Sequence, residues 1–192
     1  MVLHVLTGCD TTSAFKGKGK LTPIKVIQKS DEFQKSLVKV GETWDVDDSV
    51  TRSIEKLTCV LYGNKKLACV NKLRLQLLQK KCNNKDKLDP TKSVDLSSLP
   101  PCLSSLNQHI KHTNYQVAIW KKADENFPGI RSPEDHGWVF NNDILEPPWC
   151  EGEIIPGELI DIMENNEESD TDEVTQDIES DATDESDCDL LF

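Results

Sequence analysis

The chain has 192 residues, and its 22 basic and 34 acidic side chains give a net charge of −12. No apolar run approaches the roughly 18 residues that cross a bilayer as a helix, and no secretory pattern opens the chain, so a soluble intracellular protein of nucleus or cytoplasm is expected. Seven cysteines, an odd number with no Cys-x-x-Cys pair, read as free thiols in a reducing compartment.

The charge is segregated. No Lys or Arg follows Arg131, and 17 acids lie at or beyond Glu151, so residues 1–150 hold 22 bases against 17 acids. Val2 to Leu6 is a short apolar run suited to a strand buried on both faces, with Gly8 freeing the backbone just before Asp10. Phe15-Lys16-Gly17-Lys18-Gly19-Lys20 then sets two glycines among three lysines. Glycine reaches positive φ and lets a phosphate approach bare backbone N–H groups, while lysine adds charge. Thr22-Pro23 reads as a helix start, and Ser30 or Asp31 caps a second helix running towards Val40 and stopped by Gly41.

A longer helix is expected from Asp48 to Tyr62, with Val50, Ile54, Leu57 and Leu61 on one face. Asp45, Asp47 and Asp48 fall at its start, where carboxylates cap the first turn and suit the dipole. Lys66 to Lys81 follows, with a basic face of Lys65, Lys66, Lys72, Arg74, Lys80 and Lys81. Residues 83–101, with three prolines, read as a linker, and Ser104 to about Asp124 as another helix anchored by Leu106, Ile110, Val117 and Trp120. Gly137 to Phe140, a turn at Asn141-Asn142-Asp143 and Ile144 to Glu146 suit a small hairpin. Pro156 opens a short apolar helix through Met163, and residues 164–192, rich in Asp, Glu, Ser and Thr, form a disordered acidic tail.

The order GCD, Gly-x-Gly hairpin, helix resembles the C-terminal part of the flap-endonuclease (XPG-type) branch of PIN-like nucleases. More closely, His4 to Lys20, Leu99 to Trp120 and Pro133 to Trp138 resemble a transposon-related, uncharacterised group of animal proteins sharing an LTGCDTTS…GKGK motif. The nuclease likeness implies that Asp10 matches a ligand of catalytic Mg2+ and that Gly17 and Gly19, with Lys16, Lys18 and Lys20, match a hairpin gripping a nucleic-acid phosphate, often with K+. The fold it implies is mainly α: an N-terminally truncated remnant of an α/β PIN-like domain over residues 1–82, with one short strand and a helix–hairpin–helix-like element. Residues 102–163 add a helix, a hairpin and a short helix. Two-metal chemistry needs several converging carboxylates, which those nucleases supply upstream. Asp10 is therefore read as an orphaned ligand, and the chain as an inactive fragment without a cofactor of its own.

Other candidates carry less. His109 and His112 share a helix face and, with Cys102, His136 or Cys150, are conceivable zinc ligands, but no familiar spacing supports that set. Cys9 beside Asp10 has no identifiable orienting His–acid pair and reads as a small buried residue. Trp120, Trp138 and Trp149 are read as core anchors ahead of a stacking surface for single strands. In the tail, Ser169 and Ser186 each precede an acid by three residues and suit acid-directed kinases, and the last four residues resemble a short adaptor motif. Expected partners are nucleic acid through the hairpin, or proteins through the helical body and acidic tail; a nuclease completed by a missing N-terminal region is the remaining alternative.

Overall fold

The computed structural model describes residues 1–83 and 96–151, the side chains of residues 82 and 83 excepted. The expected acidic tail, the helix at Pro156, Ser169 and Ser186 lie outside the described residues, as does most of the expected linker. Residues 1–156 form one compact unit.

The described part is mainly helical, in the order α1 (Val2–Leu6), α2 (Leu21–Ile27), α3 (Asp31–Lys39), α4 (Asp48–Leu61), α5 (Val70–Asn83) and α6 (Leu103–Lys121). A 3₁₀ turn at Leu96–Ser98 precedes α6, and a two-stranded hairpin of β1 (Val139–Asn141) and β2 (Ile144–Glu146) follows it. The hairpin is antiparallel, pairing Phe140 with Leu145. Its turn residues Asn142 and Asp143 have φ of 50° and 63°, the left-handed geometry that a two-residue hairpin needs.

Val2 to Leu6 is a helix and not the expected strand. A five-residue apolar run fits either element by pattern alone, and in this chain no neighbouring described strand offers it a ladder. Coiling closes its hydrogen bonds locally, Thr7 N–H donating to Leu3 O at 3.0 Å, while Val5 and Leu6 are fully buried. Helix α2 also begins one residue before the expected Thr22 cap: Lys20 sits at the cap position, no side chain caps the end, and Pro23 is the third helical residue. Helix α5 starts at Val70 and not near Lys66, because the Asn64 carboxamide accepts from Lys66 and Leu67 N–H at 2.9 and 3.0 Å and holds a turn there.

Helices α3 and α4 follow their sequence cues. Ser30 accepts from Phe33 N–H at 3.4 Å, and Asp47 from Ser49 N–H at 2.6 Å. One hydrophobic cluster joins all the helices, from Val5 and Leu6 of α1 through Phe33, Ile54, Leu57 and Leu73 to Leu106, Ile110 and Val117 of α6. Helix α6 lies against both α1 and α4. It is enclosed around most of its circumference, so Gln108, His109, His112, Thr113 and Asn114 are buried along with its apolar residues.

Candidate nucleic-acid interface

The region of interest is the end of α1, the loop to α2 and the part of α6 beneath them. Helix α1 ends at Thr7, and Gly8 (φ 103°) turns the chain so sharply that a Cβ there would lie 2.6 Å from that of Ala14. Thr12 fixes the loop from inside, donating to Val5 O at 2.7 Å. Cys9 lies 3.1 Å from the Thr12 hydroxyl and 3.3 Å from that of Thr11. Burial opposes ionisation of its thiol, but these hydroxyl and backbone bonds outweigh it and lower the pKa.

Asp10 stands exposed at the loop's outer tip, beside a hollow shared with Thr11, His112, Tyr115 and Trp138. Among the described residues no three His, Cys, Asp or Glu side chains gather where they could share a metal ion. Of the downstream acids, Asp45 pairs with Arg131 at 3.4 Å, Asp47 caps α4 and Asp48 is the first residue of that helix. The Ser49 hydroxyl and N–H hold the Asp47 carboxyl below its usual range. The group implied by the nuclease likeness thus finds one carboxylate at Asp10 and no second donor set around it.

The glycine turn is closed by Lys18 N–H donating to Phe15 O at 3.0 Å, with Gly17 at φ 71°. Apart from their own chain neighbours, no described atom lies within 4 Å of where a Cβ would sit on Gly17 or Gly19, so that side of each is open. Phe15 anchors the turn by burying its ring edge-on to Tyr62 and His109, at centroid distances of 6.5 and 5.2 Å. The three lysines fold back towards the body. Lys16 donates to Ser97, and Lys18 Nζ lies 4.5 Å above the Tyr62 ring. Lys20 donates to Gly8 O at 2.9 Å and to His4 O and Nδ1. Lys20 therefore places its ammonium at the C-terminal end of α1, donating to a carbonyl of the helix and to the Gly8 carbonyl just beyond it.

Beside the turn is a pocket of about 270 Å³ lined by Ser13, Phe15, Lys16, Tyr62, His109 and Trp149, among others. His109 Nε2 contacts Leu6 O at 2.8 Å and its Nδ1 lies 3.2 Å from Ser13 Oγ. Since a carbonyl only accepts, Nε2 carries the proton and Nδ1 accepts from Ser13. Burial lowers the pKa of His109 despite its bond to Leu6, so the neutral ring is the resting form. Gln108 also lines the pocket, and its buried Oε1 has no hydrogen-bond partner among the described residues.

Among the described residues the histidines are not gathered with the cysteines into a group that could hold a metal ion. His109 is committed to Leu6, His112 Nε2 to Gly137 O, and His136 stacks on Tyr115 at 5.5 Å. Gly137 is tight against His112, since a Cβ there would run into the imidazole. Of the three expected aromatic anchors, Trp120 stacks on His4 at 6.1 Å and Trp138 packs on His112 at 4.9 Å, whereas Trp149 is 63% exposed. Of the expected basic face, Lys65 and Lys66 precede α5 and are exposed, Lys72 and Lys80 are exposed on α5 itself, and Arg74 turns inward and donates to Pro100 O. No protein-family model, curated protein or solved structure matches the chain.

Proposed function

We propose that this chain binds nucleic acid through the phosphate backbone, as a catalytically inactive, transposon-related relative of PIN/flap-endonuclease-like proteins. The observation that carries the reading is the helix–turn–helix of α1, Phe15–Lys20 and α2, with Gly17 and Gly19 open to an incoming phosphate and three lysines on the same turn. Lys25 and Lys29 extend the exposed positive charge along and just beyond α2. Among the described residues Lys16, Lys18 and Lys20 meet hydroxyl, carbonyl, imidazole and ring acceptors and no carboxylate, so there a phosphate competes with neutral partners. Among the described residues no metal-holding group of His, Cys, Asp or Glu forms around Asp10, so the reading is one of binding and not of hydrolysis.

Fluorescence anisotropy of the full chain with a labelled oligonucleotide tests this. Binding should weaken with salt, and joint replacement of Lys16, Lys18 and Lys20 by Ala should lower affinity about 10-fold at low salt and flatten the log–log salt slope by roughly 2–3. Salt-independent binding, or a triple variant equal to the parent, would rule the reading out. Cleavage that needs Mg2+ and is lost in Asp10→Asn would replace it with the active-nuclease alternative.

A second reading, docking of another protein, is favoured by one feature of the hairpin: Val139, Phe140, Ile144 and Leu145 are all exposed, with Trp149 close behind in sequence. Retention of a protein partner by a chain with unaltered lysines but Phe140→Ser and Ile144→Ser substitutions would count against it.

A further inference from the structure

Cys102 occupies the N-cap of the longest helix, α6, at φ −67° and ψ 163°. Its sulfur accepts from Ser105 N–H at 3.4 Å and lies 3.2 Å from Ser105 Oγ. Helix N-termini favour negative charge, so a thiolate gains there what an apolar interior denies it. A second thiol stands opposite: Cys150 Sγ is 3.9 Å from Cys102 Sγ, although the two residues are 48 apart in sequence. The approach is held by backbone, because the Ser104 hydroxyl donates to Glu151 O at 2.5 Å and lies 2.7 Å from Glu151 N. The segment carrying Cys150 is thus docked on the first turn of α6 independently of the sulfurs.

We propose that Cys102 and Cys150 form a peroxide-responsive dithiol, with Cys102 the attacking and Cys150 the resolving thiol. In the first step the Cys102 thiolate attacks one oxygen of a hydroperoxide. An S–O bond forms, the O–O bond breaks, and the leaving oxygen takes a proton to depart as water or an alcohol. In the second step the Cys150 sulfur attacks the Cys102 sulfenic acid. The S–S bond forms, the S–O bond breaks, and hydroxide leaves with the Cys150 proton as water. Two thiols lose two electrons and the peroxide gains them; a dithiol reductant reverses the change. For the bond to form, the sulfurs must close from 3.9 Å to about 2.0 Å.

The remaining environment agrees with these roles. Burial works against ionisation of Cys102, but the Ser105 bonds, the Cys150 thiol and the Arg74 charge together bring its pKa below the usual value. Cys59, fully buried and with no such donors, is pushed up to about 11, and burial is the main cause. The disulfide would tie the residue next to Trp149 to α6 and fix that ring at the wall of the pocket beside the glycine turn. The chemistry is independent of nucleic-acid binding.

The test is peptide mapping of the full chain after one equivalent of hydrogen peroxide. The expected product lacks two hydrogens and links Cys102 to Cys150. Cys150→Ser should stop at a sulfenic acid on Cys102 that dimedone captures, while Cys102→Ser should yield neither product. In the untreated protein, iodoacetamide should alkylate Cys102 about 10-fold faster than Cys59 at neutral pH. Oxidation spread evenly over the cysteines, or a crosslink that forms equally well between other pairs, would overturn the proposal. Retention of native circular dichroism by both serine variants keeps those outcomes interpretable.

Discussion

Gly41 and Gly17 share a positive φ, 72° and 71°, yet their surroundings make them unequal. At Gly41 a Cβ would lie 2.6 Å from Val117 Cγ1 and 2.8 Å from Ala118 N, and the Gly41 N–H donates to Asn114 Oδ1 at 2.7 Å. Asn114 also donates to Thr43 O and Trp44 O, both at 2.9 Å, so one buried carboxamide holds the α3–α4 loop on α6. Gly41→Ala should cost about 3 kcal/mol in urea denaturation, combining backbone strain with overpacking, and Gly17→Ala only about 1 kcal/mol from strain alone. Equal costs would mean that the close approach at Gly41 is wrong. His112 gives a pH signature. Burial, helped by the nearby His109 and Lys111, lowers its pKa from 6.5 to about 4. The folded chain therefore binds fewer protons than the unfolded chain below the unfolded value. Stability from this site is complete above about pH 6.5 and is lost as pH falls towards 4, by about 2 kcal/mol. Urea midpoints at pH 7.5 and 4.5 should show that loss, and His112→Gln should reduce it.

At the scale of elements, α1 is the most dependent part. Five residues are too few to stay helical alone, so α1 exists only while Val5 and Leu6 are packed on α6. Leu6→Ala should therefore cost about 3 kcal/mol. Amide exchange should quicken at residues 4–8 and in the glycine turn while α4 stays protected; uniform quickening would show that α1 is not a separate unit. The turn inherits its position from this docking through Phe15 and Lys20. Helices α3 and α4, by contrast, carry their own start signals at Ser30 and Asp47, along with regularly spaced apolar residues. Those signals act within one turn of chain, which is why both helices were legible in the sequence. The β1–β2 hairpin was legible for a similar reason: Asn142 and Asp143 tolerate the left-handed backbone that its turn demands.

For the whole molecule, charge is the governing quantity. Residues 1–156 carry 22 basic and 19 acidic side chains, while the full chain carries −12. If the chain binds a phosphate backbone as proposed, the remaining acids would be rival anions for the same cations, an effect that salt screens within a Debye length of about 10 Å at 0.1 M. A chain ending at Pro156 should bind an oligonucleotide several-fold more tightly than the full chain at low salt, and the two should converge as salt rises. Identical affinities at low salt would show that the acidic segment does not act on the binding surface.

Composition and local pattern alone determined the mainly helical class, the positions of α3, α4 and α6 to within a few residues, the hairpin and the division of charge. Each rests on interactions that close within about one turn of chain, so the residues that decide them are adjacent in sequence. The state of Val2–Leu6 was decided only by tertiary structure, because an apolar pentad takes its conformation from what covers it. The same holds for the candidate site. Lys20 reaches Gly8 across 12 residues, Asn114 reaches Gly41 across 73, His109 reaches Leu6 across 103, and Cys102 meets Cys150 across 48. Such pairs form when helices dock, and docking brings together side chains that no spacing along the chain relates.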